Sequence, residues 1–468
     1  SQDSIRLLNT NTLKQKSICG IEDMFQINTL FYDHKREVVW IGTSTDGLFY
    51  LDMKKKTLLP FSNFPKQPIA VITESSDSTL LVGIDGQGVW ELDKDKKTVL
   101  NILKEDIDNP FSLRGDGVYD IFCDGQQRVW VTTYTGGLSF FDWKSPLINQ
   151  ITHQVNNPNS LGNDNVNKIL EDSKGDIWFA TNNGISRWRV ATNEWDTYYQ
   201  NKQEQAQVFL ALCEDDEGNI WAGSFSSGFY VLDRNTGKEL VHYPRNTSEL
   251  KSDGKFIMNI YKDSEGDIWI GGIQDVICYL TKEKRFHTYG AQPMRTFMEF
   301  SPGKMLLACT YSVLLLDKET GKITFLPECL AQDILVMGDD IWVATSGDGL
   351  LHHNYTTRET HKITVESGLP SNYVNSVMYD NGYLWLGTEN GLCRYNPADS
   401  TVHAYYSTLA LSSASFNVNA SCKLRNGELM WGTNNGAVMF NPDKLYHTQL
   451  NGEIYFCLLY TSPSPRDS

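Results

Sequence analysis

The sequence has no CxxC pair among its nine cysteines, and nine is an odd number. Both facts argue against a complete disulfide framework and against a zinc ribbon or thiol redox motif. Buried free thiols are the expected state for residues such as Cys278 and Cys393, which fall in strand-like stretches. No run of 18 apolar residues exists, so nothing reads as a membrane-spanning helix and no membrane insertion is expected of this region. Basic residues are outnumbered, with 41 Lys and Arg against 57 Asp and Glu, a net charge of −16. Such a surface repels phosphate backbones, which excludes nucleic acid as an expected partner. The opening SQDSIRLL also lacks the basic-then-apolar pattern of a secretion signal. The expectation is that a signal was removed or that the chain starts inside a longer protein.

What the sequence has in abundance is aromatic residues and glycine: 22 Tyr, 21 Phe, 12 Trp and 36 Gly. That load suits strands joined by tight turns. It is organised by one recurring pattern: a strand, an Asp, a short turn with Gly, then Trp, a small residue, and Thr or Ser. The pattern reads EDSKGDIWFAT at Trp178, EDDEGNIWAGS at Trp221 and KDSEGDIWIGG at Trp269. Shorter copies stand at Trp40, Trp130, Trp342 and Trp385, and copies without the Trp at Leu81, Leu306 and Met430. The ten anchors lie 36 to 49 residues apart, about 43 on average. That period fits one four-stranded blade of a β-propeller.

Each copy resolves into four strands, as in VNKILED, DIWFAT, ISRWRV and EWDTYY from residue 166 onward. Asp at the first turn accepts from nearby backbone N–H groups, and Gly supplies the positive φ that closes the hairpin. Trp fills the gap between blades. The small residue two positions on (Ala180, Gly42, Gly387) lets the adjacent sheet come close. Turns such as TNNG (181–184) and TENG (388–391) are two-residue hairpin signals. The connections SLRGDGV, SLGNDNV and GLPSNYV lead into the innermost strand, on the same face as these turns. That face surrounds the central opening, where propellers bind things.

Ten blades exceed the usual four to eight of one ring. The last copy lacks a fourth strand in register, and SPLINQITH (145–153) can supply it. The fold class is therefore all-β, about ten four-stranded blades read as one seven-bladed ring plus three blades of a preceding propeller. The expected division is 1–144 for the three blades, 145–445 for the ring, 446–456 for a linker and 457–468 for an unstructured tail foreign to the natural protein.

The repeats NPNSLGNDNVNKILEDSKGDIWFATNNGISRW (157–188) and GLPSNYVNSVMYDNGYLWLGTENGLCRYNPADSTVHAYY (368–406) resemble the two-component-regulator propeller repeat. The resemblance covers about 1–445. It implies the periplasmic sensor region of a hybrid two-component protein, dimeric through its parent, with a fused histidine kinase that this chain does not contain. It implies an oligosaccharide or other small ligand as the partner, and no cofactor. The copies at Leu81 and Leu306 depart from the repeat by lacking Trp.

Sugar rings present C–H faces and hydroxyl edges, so a sugar site needs an aromatic platform beside amides and carboxylates. The aromatic candidates on the expected face are Tyr134, Phe225, Tyr311, Tyr373 and Phe416. The polar candidates are Asp164, Asn165, Gln274, Asp348 and Glu389. Each is also explained by turn chemistry alone. No catalytic residue and no metal ligand is assigned. EDSKGDIW has some look of the Asp-box of sialidases, yet that box is a structural turn. The Arg cluster and the Tyr–Glu pair that sialidase chemistry requires have no obvious counterpart here. A propeller glycosidase or lyase is thus a weaker reading than ligand sensing, and a protein-interaction scaffold stands between them.

Overall fold

The recurring Asp organises each blade before any tertiary contact is made. In the computed structural model, Asp172 Oδ1 accepts from the backbone N–H of Lys174 at 2.8 Å and of Asp176 at 3.1 Å, while Oδ2 accepts from Trp178 Nε1 at 2.9 Å. Asp215 holds Trp221 in the same way at 2.9 Å, and Asp263 holds Trp269 at 2.8 Å. One carboxylate thus closes the turn and fixes an otherwise orphaned indole N–H inside the core. Where the turn is shorter, as before Trp385, the buried indole N–H has no such partner.

The Thr or Ser that ends the pattern is a turn residue of the opposite hairpin. Thr345 Oγ1 donates to the Gly349 carbonyl at 2.7 Å and accepts from the Asp348 N–H at 3.1 Å. Thr181, Thr388 and Thr433 repeat the donation to Gly184, Gly391 and Gly436. The small residue also has its expected role. A Cβ added to Gly42 would lie 2.7 Å from Cγ2 of Ile69 in the next sheet, and one added to Gly83 would lie 2.6 Å from Val118.

The structure describes residues 4–20, 26–109, 112–125, 128–142, 148–200, 208–244, 256–272, 276–290, 293–405 and 415–445. Among these, nine antiparallel sheets have four strands, one has three and one has two. Seven of the four-stranded sheets form a closed ring. Their inner strands are Val166–Glu171, Phe209–Glu214, Ile257–Lys262, Met294–Ser301, Ala331–Met337, Val374–Asp380 and Phe416–Lys423, each packed on the next and the last on the first. The ring closes through the strand Asn149–Ile151, which pairs antiparallel with Gly436–Phe440 as the outer strand of the last sheet. The core lies between sheets: Trp178 packs with Phe209, Leu212 and Ile220 of its neighbour. Cys278 and Cys393 are fully buried free thiols, and burial pushes both far up from the ordinary thiol range.

The three sheets that begin at Ile27–Asp33, Ile69–Glu74 and Val118–Cys123 form an open row. The third has only three strands among the described residues, a departure from the four expected. A hairpin, Ser4–Leu8 with Gln15–Gly20, precedes them as a separate two-stranded sheet. It carries no Trp–small–Thr signal, so the repeat pattern does not register it. Both ends of the row leave apolar residues exposed, Leu30 and Tyr32 at one and Tyr119 and Phe122 at the other.

Candidate functional site

Every inner strand of the ring carries a register shift just after its first residue. The shift lies between Val166 and Lys168, Phe209 and Ala211, Ile257 and Asn259, Met294 and Thr296, Ala331 and Asp333, Val374 and Ser376, and Phe416 and Ser421. In the first six strands such a bulge leaves one residue unpaired and re-aims its side chain, and in the last the four residues 417–420 lie outside the pairing. The extra residues Asn167, Leu210, Met258 and Arg295 line a cavity of about 140 Å³ at the channel mouth, with Asn417 and Asn419. Three of these bulge positions stitch neighbouring strands together. Asn167, Asn375 and Asn417 donate from Nδ2 to the carbonyls of Phe209, Phe416 and Val166, each at 2.8 Å.

Below the mouth, the channel widens to a cavity of about 450 Å³ lined by Lys168, Asn259, Thr296, Asp333 and Asn419 among others. Lys168 Nζ donates to the Asn419 carbonyl at 3.0 Å and to its Oδ1 at 2.9 Å. Burial lowers the lysine's affinity for its proton. Asp333 is buried, and its two oxygens accept the N–H groups of Ile334 and Val377, each at 3.0 Å. Burial still dominates and raises its carboxyl from the ordinary 3.8 to about 6, against the pull of those N–H groups and of Lys168.

A stability signature follows. The folded chain keeps the Asp333 proton where the unfolded chain has lost it, so this group costs stability as pH rises from 3.8 to about 6, and the cost is constant above. The stability of the wild type relative to Asp333→Asn is therefore expected to fall over that window. Urea denaturation of both proteins across it provides the check, and parallel pH profiles would refute the assignment.

A second concavity, of about 670 Å³, lies where the open row meets the ring. Its floor carries Trp188 and Trp195, a cross-strand pair stacked at 5.6 Å and 4°. Trp195 also stacks on Phe179 at 5.5 Å. Its walls are Asp106 and Asp108 on one side and Asn149, Gln150, Asn157 and Asn159 on the other. Gln150 donates to the Asn435 carbonyl at 2.7 Å, while its Oε1 is buried without a partner among the described residues. Asp108 Oδ1 accepts from the Val155 N–H at 2.8 Å and so ties the row to the ring.

The residues singled out from sequence do not meet in one place. Asp164 accepts from the His153 N–H at 2.6 Å, and Asn165 accepts from Asn417 at 3.0 Å. Both therefore serve the ring seam. Asp348 pairs with Lys362 at 2.8 Å. Tyr373 and Glu389 are neighbours through a backbone bond, with Tyr373 46% exposed. Phe225 is exposed and packs edge-on against Phe256 at 4.5 Å. Tyr311 is exposed on its own at 77%. Exposed Tyr134 sits edge-on to Tyr119 at 5.2 Å, on the open row rather than the ring. Gln274 lies outside the described residues. Phe416 is a correction: it is 1% exposed, packed edge-on against Trp431, and cannot form a platform. It begins an inner strand, as the buried Phe209 and Val374 do. The junction tryptophans were missed, although the signal was present: Trp188 and Trp195 bracket one hairpin in register.

Among the described residues, one acidic group has metal-like spacing: Asp263, Glu265 and Asp267. Lys318 Nζ sits among them at 2.6, 2.6 and 2.8 Å. Burial opposes the ammonium, but the three carboxylates outweigh it and raise its proton affinity well above the ordinary lysine range. The cluster is thus an inter-sheet clasp in which one ammonium bridges three carboxylates.

Comparison with known proteins matches this geometry. The family model described as two component regulator propeller matches residues 160–183, 203–226, 251–274 and 368–390. This chain carries two-component regulator propeller repeats. The first three matched segments are consecutive copies at the start of the ring, and the fourth spans the copy at Trp385. Histidine kinase P4 of Formosa agariphila is 26% identical over 266 residues, half of this chain and 19% of that protein. Two solved extracellular domains from B. thetaiotaomicron are similar to this chain in fold. One, described as that of a hybrid two component system, has a TM-score of 0.70 at 22% identity and covers 94% of this chain. The other, described as that of a one component system, has a TM-score of 0.52 at 18% identity. This chain spans about a fifth of the curated relative, and 59% and 62% of the two solved domains.

Proposed function

We propose that this regulator propeller is an extracytoplasmic sensing region that recognises an oligosaccharide and biases the state of a kinase elsewhere in its parent protein. The junction concavity carries the reading. Stacked Trp188 and Trp195 offer a flat apolar surface to a sugar's C–H face, and the surrounding asparagines and aspartates match hydroxyl edges. The unpaired Gln150 Oε1 is an acceptor awaiting a donor. Because Asp106 and Asp108 come from the open row and the tryptophans from the ring, a ligand bound here would favour one arrangement of the two. That differential binding is a physical basis for signalling, and a recognition role needs no catalytic group. In this reading the row belongs to a second propeller that begins before residue 145, the parent is a dimer, and the ligand acts by shifting its arrangement.

Calorimetry of the full chain against a panel of neutral oligosaccharides tests the reading. Trp195→Ala is expected to weaken binding about tenfold or more, the effect of losing a central aromatic contact. Asn193→Ala, which removes the acceptor of the Trp188 indole at 3.0 Å, serves as a milder second variant. Absence of binding by any neutral glycan, or unchanged affinity in folded Trp195→Ala, would overturn the junction reading.

A further inference from the structure

We infer that the channel mouth of the ring is a separate binding site for a carboxylate group, held by Arg295 and Lys168 over Asn419. This goes beyond the junction concavity and does not depend on it.

The first observation is charge. The chain as a whole is strongly acidic, at −16. Yet the two connected cavities of the channel are lined by three cations, Arg295 at the mouth and Lys168 and Lys262 below it, of which Lys262 is paired with Asp216 at 2.8 Å. Among the described residues, the half-buried Arg295 guanidinium has no hydrogen-bond or ion-pair partner. The two acids that line the channel are both engaged: Glu214 pairs with Arg234, and Asp333 has both oxygens occupied by backbone N–H groups. A half-buried guanidinium facing a cavity without a counter-ion is a costly arrangement unless an anion visits it.

The second observation is backbone strain at the same place. Asn419 lies within a strand, yet its φ is +52°. A residue other than Gly in this region costs of order 1–3 kcal/mol and persists where the surroundings enforce it. Here the unusual φ goes with a carbonyl and a side-chain oxygen that both accept from Lys168. The Asn419 Nδ2 group is left without a partner among the described residues. Asn419 also lines both cavities, so it stands at the waist between them.

The third observation is the residue type at the bulges: three of the seven hold a stitching Asn, Leu210, Met258 and Gln332 are uncharged, and Arg295 alone is a cation. Asn167, Asn375 and Asn417 spend their amides on neighbouring strands, but the bulge position of the Met294–Ser301 strand holds an Arg instead. A guanidinium fork matches a planar carboxylate through paired N–H donors. Asn419 Nδ2 and the third Lys168 proton add donors that a carboxylate can accept. A cavity of about 140 Å³ admits the acidic end of a ligand and not its whole length.

The test is calorimetry of the full chain with digalacturonate, its methyl ester and inorganic sulfate as probes. Digalacturonate is expected to bind, with the ester and sulfate at least about tenfold weaker. Arg295→Gln should cost at least about tenfold, and Arg295→Lys should recover only part of it. Asn419→Gly adopts the positive φ without strain, so it keeps the fold while removing the amide, and it should also weaken binding. Trp195→Ala should leave digalacturonate affinity unchanged. The inference fails if the acid does not bind, if ester or sulfate binds as well, or if folded Arg295→Gln and Asn419→Gly bind normally. Loss in Trp195→Ala with none in Arg295→Gln places the acid in the junction concavity and also overturns it. Failure of neutral glycans alone removes the junction reading and leaves this one standing.

Discussion

Gly436→Val is expected to unfold the ring at temperatures where Gly175→Val leaves it folded. Both glycines have φ of +89°, so both substitutions impose the same backbone strain, of order 1–3 kcal/mol. Their surroundings differ. A Cβ at Gly175 meets nothing within 4 Å, whereas one at Gly436 would overlap the carbonyl oxygen of Ile151. That carbonyl belongs to the three-residue strand that closes the ring, and the Gly436 N–H bonds the Asp164 carbonyl at 2.5 Å. The clash therefore falls on the seam, where only three residue pairs join the ends. The expected cost exceeds about 4 kcal/mol, in the range reserved for mutations that break a specific structural device. Chemical denaturation of the two variants provides the comparison, and equal losses would show that the seam is not a point of weakness.

Trp269→Phe is expected to cost more than Trp385→Phe, although both tryptophans are buried to the same degree. The volume removed is the same, and both indoles stack on a Tyr, at 5.2 Å on Tyr289 and 5.6 Å on Tyr405. The difference is the N–H. Trp269 donates to Asp263, which also holds two turn N–H groups and Lys318. Trp385 has a buried N–H with no partner among the described residues, so Phe relieves it. A hydrogen bond to a charged group contributes about 1.5–3 kcal/mol. The gap between the two variants should be of that order. A gap near zero would mean that the Asp carboxylate organises the turn without contributing through the indole.

The repeat was legible because its residues act locally. The Asp turn, the Gly that completes it and the Thr of the opposite hairpin each make bonds within a few residues, so their chemistry is written in short motifs. Even the Trp-less copies keep the pattern: Met430 opposes Cys422 as Trp178 opposes Leu170. The candidate sites were less legible because they arise from alignment between repeats. Arg295 has no motif of its own. It matters because it takes the place that Asn holds in three other inner strands. Phe416 was misjudged for the same reason: read alone it is an aromatic beside a turn, read in register it is the buried first residue of a strand. The hairpin Ser4–Leu8 with Gln15–Gly20 turns on Asn9, whose Oδ1 accepts from the N–H groups of Asn11 and Thr12, but it lacks the Trp–small–Thr signal by which a repeat is read.

The seam also decides how force passes through the molecule. Asn149 opposes Met439 and Ile151 opposes Ala437, so the chain enters and leaves the ring side by side at the same end of one sheet. A pull applied across residues 148 and 441 would load these pairs one after another, like a zipper, before it reached the other six sheets. Tension therefore meets the clasp first and the rest of the ring only after it has opened.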